Sequence, residues 1–252
     1  MTEAFQPIAV SAPRDNQLLF WLRCVLDLQL LTIYRFLRRQ LPPLRGRVLD
    51  VGAGRSPWRE LLKQAEYVGL DVEASNRFGM PRDPAVVYYD GKVFPFDNAS
   101  FDHVISVEVL EHVPDPAALL SEITRVLRPE GTLILTVPWS ARQHHLPHDY
   151  FRFTRNALAA LLHKAGFTPS EITERGNDIA AIANKILVVL VRLISPPSRL
   201  DIVWTWPLAI LLLPVTMIFI GAAHLSMMLN HGGKEDPLGY AVCATAGPQT
   251  QA

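Results

Sequence analysis

Short apolar runs separated by glycine- and proline-bearing breaks fill the middle of this chain, and much longer apolar runs lie at its two ends. Val48–Val51 is a short run that enters the tight turn Gly52-Ala53-Gly54. Tyr67–Asp71 is a second run ending in an acid, and 86–90, 103–107 and 132–137 have the same look; all five are predicted as strands. Upstream, the apolar stretch 18–37 is interrupted by Arg23, Asp27 and Arg35 and predicts one amphipathic helix. Arg35, Arg38 and Arg39 suit its C-terminus and Pro42-Pro43 stops it. Downstream, 179–194 is an apolar helix carrying Lys185 and Arg192 on one face, and Ser195-Pro196-Pro197-Ser198 is a turn. Residues 202–233 then contain no Asp, Glu, Lys or Arg, and Ile202–Ala223 is long enough to span a bilayer.

The turn after the first strand carries the chemistry. Ser56 is predicted as a helix N-cap and Pro57 as the first helical residue. Strand, glycine turn and helix start would together form a cradle for a nucleoside-type cofactor. A dinucleotide fingerprint wants a third glycine, where this chain has Pro57, and has no acid at the place of Asp50. The stretch Asp50-Val51-Gly52-Ala53-Gly54 instead resembles motif I of class I S-adenosylmethionine-dependent methyltransferases.

Further motifs follow in the same order as in that family. Asp71 ends the second strand, Asp90-Gly91 the third, and Glu108-Val109-Leu110-Glu111-His112-Val113 follows the fourth. Arg125-Val126-Leu127-Arg128-Pro129-Glu130-Gly131 precedes the fifth. Residues 45–175 thus resemble the type 11 branch of the superfamily. The resemblance implies an α/β, Rossmann-like sheet of seven strands, mostly parallel, with the last strand antiparallel. It implies S-adenosylmethionine as cofactor, held by Asp50, Gly52, Ala53, Gly54, Asp71, Asp90, Gly91 and Glu108. It also implies a helix at 155–165 and closing strands at 168–175 and 238–244.

Those closing strands change the meaning of the apolar region, which becomes a hydrophobic helical insertion before the last strand. Both of its ends must then lie on one side of any membrane. A shallow or re-entrant hairpin over 179–229 fits; a single span would orphan the last strand. Lys185 and Arg192 make a full crossing by the first helix costly. The expected organisation is a helix and cap at 1–44, a cofactor-binding core at 45–176, a membrane-associating hairpin at 177–236, and a final strand and tail at 237–252. For the helix at 18–37 two readings stand, a cap over the cofactor pocket or a membrane-surface helix.

Composition narrows the partners. Twenty-four Lys and Arg balance twenty-four Asp and Glu, so no basic field favours nucleic acid. Two cysteines cannot build a disulfide framework, and a reducing compartment is expected. The polar residues 1–17 carry Glu3, Arg14 and Asp15, so no cleavable signal is expected. Hydrophobic residues make up 49% of the chain, and the excess lies in the insertion.

Candidate bases come from two places. His112 follows the fourth strand, and a neutral imidazole is the common side chain poised near pH 7. The loop Gln143–Thr154 follows the fifth strand and offers His145, His148 and Asp149 as catalytic groups, with Tyr150 and Arg152 shaping an acceptor site. A metal is not expected, because Pro147 breaks the helical His-x-x-x-His face and no clear further ligand set is visible. The expected protein is a methyltransferase on the cytoplasmic face of a membrane, acting on a lipid or a lipid-linked small molecule of glycan or quinone type. A soluble small-molecule acceptor, or a binding module without catalysis, are the rivals. Oligomeric state is left open.

Overall fold

The protein is described by a computed structural model over residues 10–78 and 82–247; residues 1–9 of the polar segment and 248–252 of the expected tail lie outside that range. The strands are β1 (Gly46–Val51), β2 (Ala65–Val72), β3 (Val86–Tyr89), β4 (Phe101–Val107), β5 (Leu127–Pro138), β6 (Phe167–Arg175) and β7 (Gly239–Ala246). They form one sheet in the order β3-β2-β1-β4-β5-β7-β6. β1 to β5 are parallel, and β7 pairs antiparallel with both β5 and β6. The seven-stranded, mostly parallel expectation therefore holds, with β7 as the antiparallel strand. Val48, Leu49, Val104, Ile105, Leu133 and Ile134 are almost wholly buried, as a sheet covered on both faces requires.

Helices α3 (Pro116–Val126) and α4 (Arg155–Lys164) cover one face, packing Leu120, Ile123, Leu158 and Leu162 onto Leu49, Val104, Leu133 and Leu135. Asp115 and Thr154 cap them through the amides of Ala118 and Ala157. The other face is covered by α2 (Leu28–Gln40) and by the first turns of α5 (Asp178–Ile194), against Val48, Ile105 and Ile134.

The single helix expected over 18–37 is two. Helix α1 (Gln17–Leu26) meets α2 at 117°. Asp27 makes the corner: its amide bonds the Arg23 carbonyl and its carboxylate caps α2 at Leu30. The bend lets Leu28, Leu31 and Leu37 bury against the sheet while α1 keeps Leu18, Leu19, Leu22 and Val25 outside, each about half exposed or more. One straight helix could not satisfy both surfaces.

The helix expected to start at Ser56 is also absent. Only a 3₁₀ turn, Arg59–Leu61, follows the glycine turn. Ser56 has φ of +52° and its hydroxyl lies 2.9 Å from the Tyr67 hydroxyl, so it cannot act as an N-cap. Among the described residues no α-helix starts at this turn.

Helices α5 and α6 (Ile202–Met228) form a hairpin between β6 and β7, as expected. β6 runs parallel to β1–β5, so its last residue, Arg175, lies on the same sheet edge as the ends of β1, β2 and β4. β7 begins on that edge. The hairpin therefore leaves and returns beside the glycine turn's edge of the sheet, which is where doubly wound sheets bind ligands.

Candidate active site

The glycine turn is shaped by close approach. Gly52 has φ of +74°, and a Cβ there would sit 2.3 Å from Val109 Cγ2. The amides of Gly52 and Ala53 both donate to the Leu70 carbonyl, which locks the turn to β2. Asp71, at the end of β2, accepts from Gly54 N at 2.9 Å and from Val72 N at 2.7 Å. Burial raises its pKa, against the pull of these two amides. Its remaining lone pairs can accept a ligand's vicinal hydroxyls. Asp90 lies exposed just past β3, its carboxylate accepting from Lys92 N, with Gly91 at φ of +84°.

Asp50 lies behind this turn. It is 2% exposed, and the Tyr67 hydroxyl donates to it at 2.8 Å. Burial pushes its carboxyl up to about 7. Between about pH 4 and pH 7 the folded protein thus holds a proton that the unfolded chain has lost, so stability falls as pH rises through that window. Three pH units correspond to up to about 4 kcal/mol. Asp50→Asn removes this component. The stability of the wild type relative to Asp50→Asn should fall by roughly 3 kcal/mol between pH 5 and pH 8, read from urea melts. A pH-independent difference would mean that Asp50 is ionised throughout.

Glu108 stands at φ of +54° just after β4 and pairs with Arg175 at 2.8 Å. Arg175 is 3% exposed and also donates to the Gln29 side chain, Thr32 Oγ1 and the carbonyls of Val137 and Tyr240. This guanidinium ties the root of the hairpin, α2 and the β4 loop into one unit. Neither Arg175 nor Tyr67 was singled out from sequence. The available signal for Arg175 was a lone arginine closing an otherwise neutral or acidic strand on the ligand edge.

The loop after β5 folds onto the loop after β4. The amides of Tyr150 and Phe151 both donate to the Glu111 carbonyl. His112, in the 3₁₀ turn Leu110–His112, donates from Nδ1 to the His148 carbonyl at 2.7 Å. Burial and neighbouring His144 hold His112 down at about 4, so it is neutral. The rings of His144 and His145 lie 4.7 and 5.2 Å from that of His112. His148 Nδ1 lies 2.9 Å from the Tyr150 hydroxyl, and Tyr150 is 44% exposed.

Two expected site residues are taken up by the loop itself. The Arg152 guanidinium grips both carboxylate oxygens of Asp149, at 2.7 and 2.8 Å, and also donates to the Arg142 and Phe151 carbonyls. Asp149 further accepts from His144 N. Burial alone would raise the Asp149 carboxyl; the Arg152 fork and that amide bring it below the usual range. A carboxylate held this way is a poor base, and Arg152 has its donors turned inward. Both hold the shape of the loop. A groove of about 480 Å³ between α4 and β6, lined by Arg155, Glu171 and Glu174, contains none of the expected site residues.

Residues 27–172 match a family model described as a methyltransferase domain. An uncharacterized methyltransferase of Mycobacteroides abscessus is 34% identical over 130 residues, covering 45% of this chain and 50% of that protein. A ubiquinone biosynthesis O-methyltransferase of Thiobacillus denitrificans is 28% identical over 160 residues, covering 52% of this chain and 68% of that one. The match spans about half the length, or less, of the first curated relatives. In fold, the chain is similar to a solved complex between the Haloferax volcanii Trm112 methyltransferase activator and a methyltransferase, with TM-score 0.54, 18% identity, and coverage of 92% of this chain and 96% of that chain.

Proposed function

Because the chain belongs to the methyltransferase-domain family, we propose that it is an S-adenosylmethionine-dependent methyltransferase that works at a membrane surface on a lipid or lipid-linked small molecule. The observation that carries the membrane part is the hairpin's origin: α5 and α6 leave and re-enter the sheet at the edge that holds Gly52–Gly54, Asp71 and the histidine loop. Helix α6 has 27 residues, about 40 Å of helix against a hydrocarbon core of about 30 Å. Its most apolar 18-residue window has a mean hydropathy of 2.3, and only 22% of that window is buried. Val203, Ile210, Leu211 and Ile218 are each about 70% exposed or more. Helix α1 adds Leu18, Leu19 and Leu22 to the exposed apolar surface, and the Val25 carbonyl lies 2.8 Å from His224 Nε2 of α6. An apolar surface of this extent has a partner, and lipid suits its lack of charge.

The cofactor fits the residues present. Asp71 offers lone pairs for ribose hydroxyls beside the Gly54 amide, and Asp90 follows the neighbouring strand. When bound, S-adenosylmethionine supplies a methyl group already activated on a sulfonium. The protein's remaining tasks are to align the acceptor and, for a hydroxyl acceptor, to take its proton. His148, hydrogen-bonded to exposed Tyr150 at the rim, is the candidate base. His112 is committed through Nδ1 to a carbonyl.

The test is a transfer assay with methyl-labelled S-adenosylmethionine and an extract containing membranes and cytosol. Label in the organic phase supports a lipid or lipid-linked acceptor. Label only in the aqueous phase makes the hairpin an anchor and the acceptor soluble. No label in either phase, with cofactor bound, supports a binding module. Location has its own test. The first turns of α5 bury Ala180, Ala181 and Ala183 against α2, so truncation must spare them. Replacing 187–216 by a short Gly/Ser turn should move the protein from the membrane fraction to the soluble fraction and leave cofactor affinity unchanged. Retention in the membrane fraction would make α1 the anchor.

A further inference from the structure

Among the described residues, Glu111 is the one carboxyl that is buried with both oxygens unpartnered. It is fully buried, and neither carboxylate oxygen has a hydrogen-bond partner. A buried, unpaired carboxylate costs several kcal/mol, on the order of the desolvation of a charge, unless it takes up a proton or something cationic meets it. His112 Nε2 lies 3.6 Å from Glu111 Oε1. One ligand atom each from Glu111, His112 and His144 fall within 4.8 Å of one another.

The two imidazoles are set up alike. His112 Nδ1 faces the His148 carbonyl at 2.7 Å, and His144 Nδ1 faces the Arg142 carbonyl at 3.0 Å. A carbonyl only accepts, so His112 Nδ1 carries the proton and its Nε2 keeps its lone pair; His144 Nδ1 also has the donor Arg152 Nη2 at 3.5 Å, and the Arg142 carbonyl is the nearer partner, which places the proton there too. Asp149 Oδ2 stands 3.6 Å from His144 Nδ1, a carboxylate behind the imidazole. Metal-bound histidines are held by this kind of outer contact, with the second ring nitrogen donating to a carbonyl or carboxylate.

We infer that Glu111, His112 and His144 form a site for a divalent first-row transition-metal cation of the zinc type. One carboxylate and two imidazoles is a ligand set for such ions, and it leaves a fourth position for water or an oxygen ligand. Three donors on one ion at about 2 Å would lie about 3.3 Å apart, so a closure of about 1.5 Å completes the site. Side-chain rotation on two adjoining loops supplies that. The ligands come from two loops distant in sequence, Glu111 and His112 after β4 and His144 after β5. The histidine loop alone lacked a ligand set, and the β4 loop supplies it. The site stands independently of the function proposed above. Its role rests on that proposal: an acceptor hydroxyl on the fourth position would lose its proton more readily.

The experiment uses the full chain, stripped with a chelator and titrated with Zn²⁺ in competition with a chromophoric chelator, and with Co²⁺ followed by its d–d absorption. One ion per chain is expected, with a rise in Tm on Zn²⁺ addition. Glu111→Gln and His144→Ala should each weaken binding about 100-fold or more, beyond the 10–100-fold typical of losing an outer-shell partner. His163→Ala, on exposed α4, should bind as the wild type does. His144→Gln serves where Glu111→Gln does not fold. S-adenosylmethionine affinity, measured alongside, reports on the cofactor pocket separately. Absence of stoichiometric binding by the wild type, or unchanged binding in folded Glu111→Gln and His144→Ala, overturns the site. Stoichiometric binding lost in those variants establishes it, whether or not methyl transfer is found.

Discussion

Arg175→Met is expected to destabilise the protein by about 3–5 kcal/mol, the range for removing one partner of a buried charge pair. The loss has several parts. Glu108 keeps its charge without its cation, though at 23% side-chain exposure it recovers some hydration. The carbonyls of Val137 and Tyr240 and the side chain of Gln29 lose a buried donor. Methionine fills the stem's volume, so the effect reads charge and hydrogen bonding more than packing. For a chain of this size, Tm should fall by roughly 8–15 °C. Glu108→Gln in the Arg175→Met background should recover part of the loss, because it removes the unpaired charge. A shift below about 2 °C would mean that Arg175 is dispensable to the hairpin's root. Gly239 belongs to the same prediction. A Cβ there would sit 2.3 Å from Arg175 Nη2 and 2.4 Å from the Val137 carbonyl, so the arginine is accommodated only beside glycine.

Asp71→Ala should weaken S-adenosylmethionine binding by about 100-fold or more in isothermal calorimetry. Two hydrogen bonds to a carboxylate at about 1.5–3 kcal/mol each account for that loss. Asp71→Asn keeps one accepting oxygen and should lose about 10-fold. The alanine variant also frees the amides of Gly54 and Val72, so the glycine turn loosens and part of the effect is lost preorganisation. The membrane partition proposed above should not change, because the apolar helices are remote in sequence and anchored through Arg175 and Asn177. Wild-type affinity in Asp71→Ala would remove the pocket from this edge of the sheet.

The strands were legible because each is an apolar run with a turn residue at its end, and period alone locates such runs. The places of Asp50, Gly52, Gly54 and Asp71, near the end of β1, in the turn after it and near the end of β2, were legible for the same reason: they sit at fixed offsets from strands. What period could not convey was direction change. Residues 18–37 have one helical pattern, yet Asp27 splits them, since only packing tells that Leu28–Leu37 and Leu18–Val25 face different surroundings. Ser56 and Pro57 have the right types for a helix start. A Tyr67 hydroxyl contributed by β2, the strand paired beside β1, takes the serine instead. Asp149 and Arg152 looked like chemistry by type and spacing, and the same spacing of three lets them pair with each other.

The amino-acid sequence by itself determined the order of the strands along the chain, the glycine turn after the first of them, the family and the presence of an apolar hairpin between the last two strands. These depend on local period and on residue types at short offsets. Only the tertiary structure decided which edge of the sheet the hairpin shares, which histidines meet Glu111, and which charges are spent on holding loops. Those depend on strand order and on contacts between segments far apart in the chain, such as His144 with Glu111 and Arg175 with Glu108. Such contacts are chosen by the packing of the whole sheet and leave no local pattern to read.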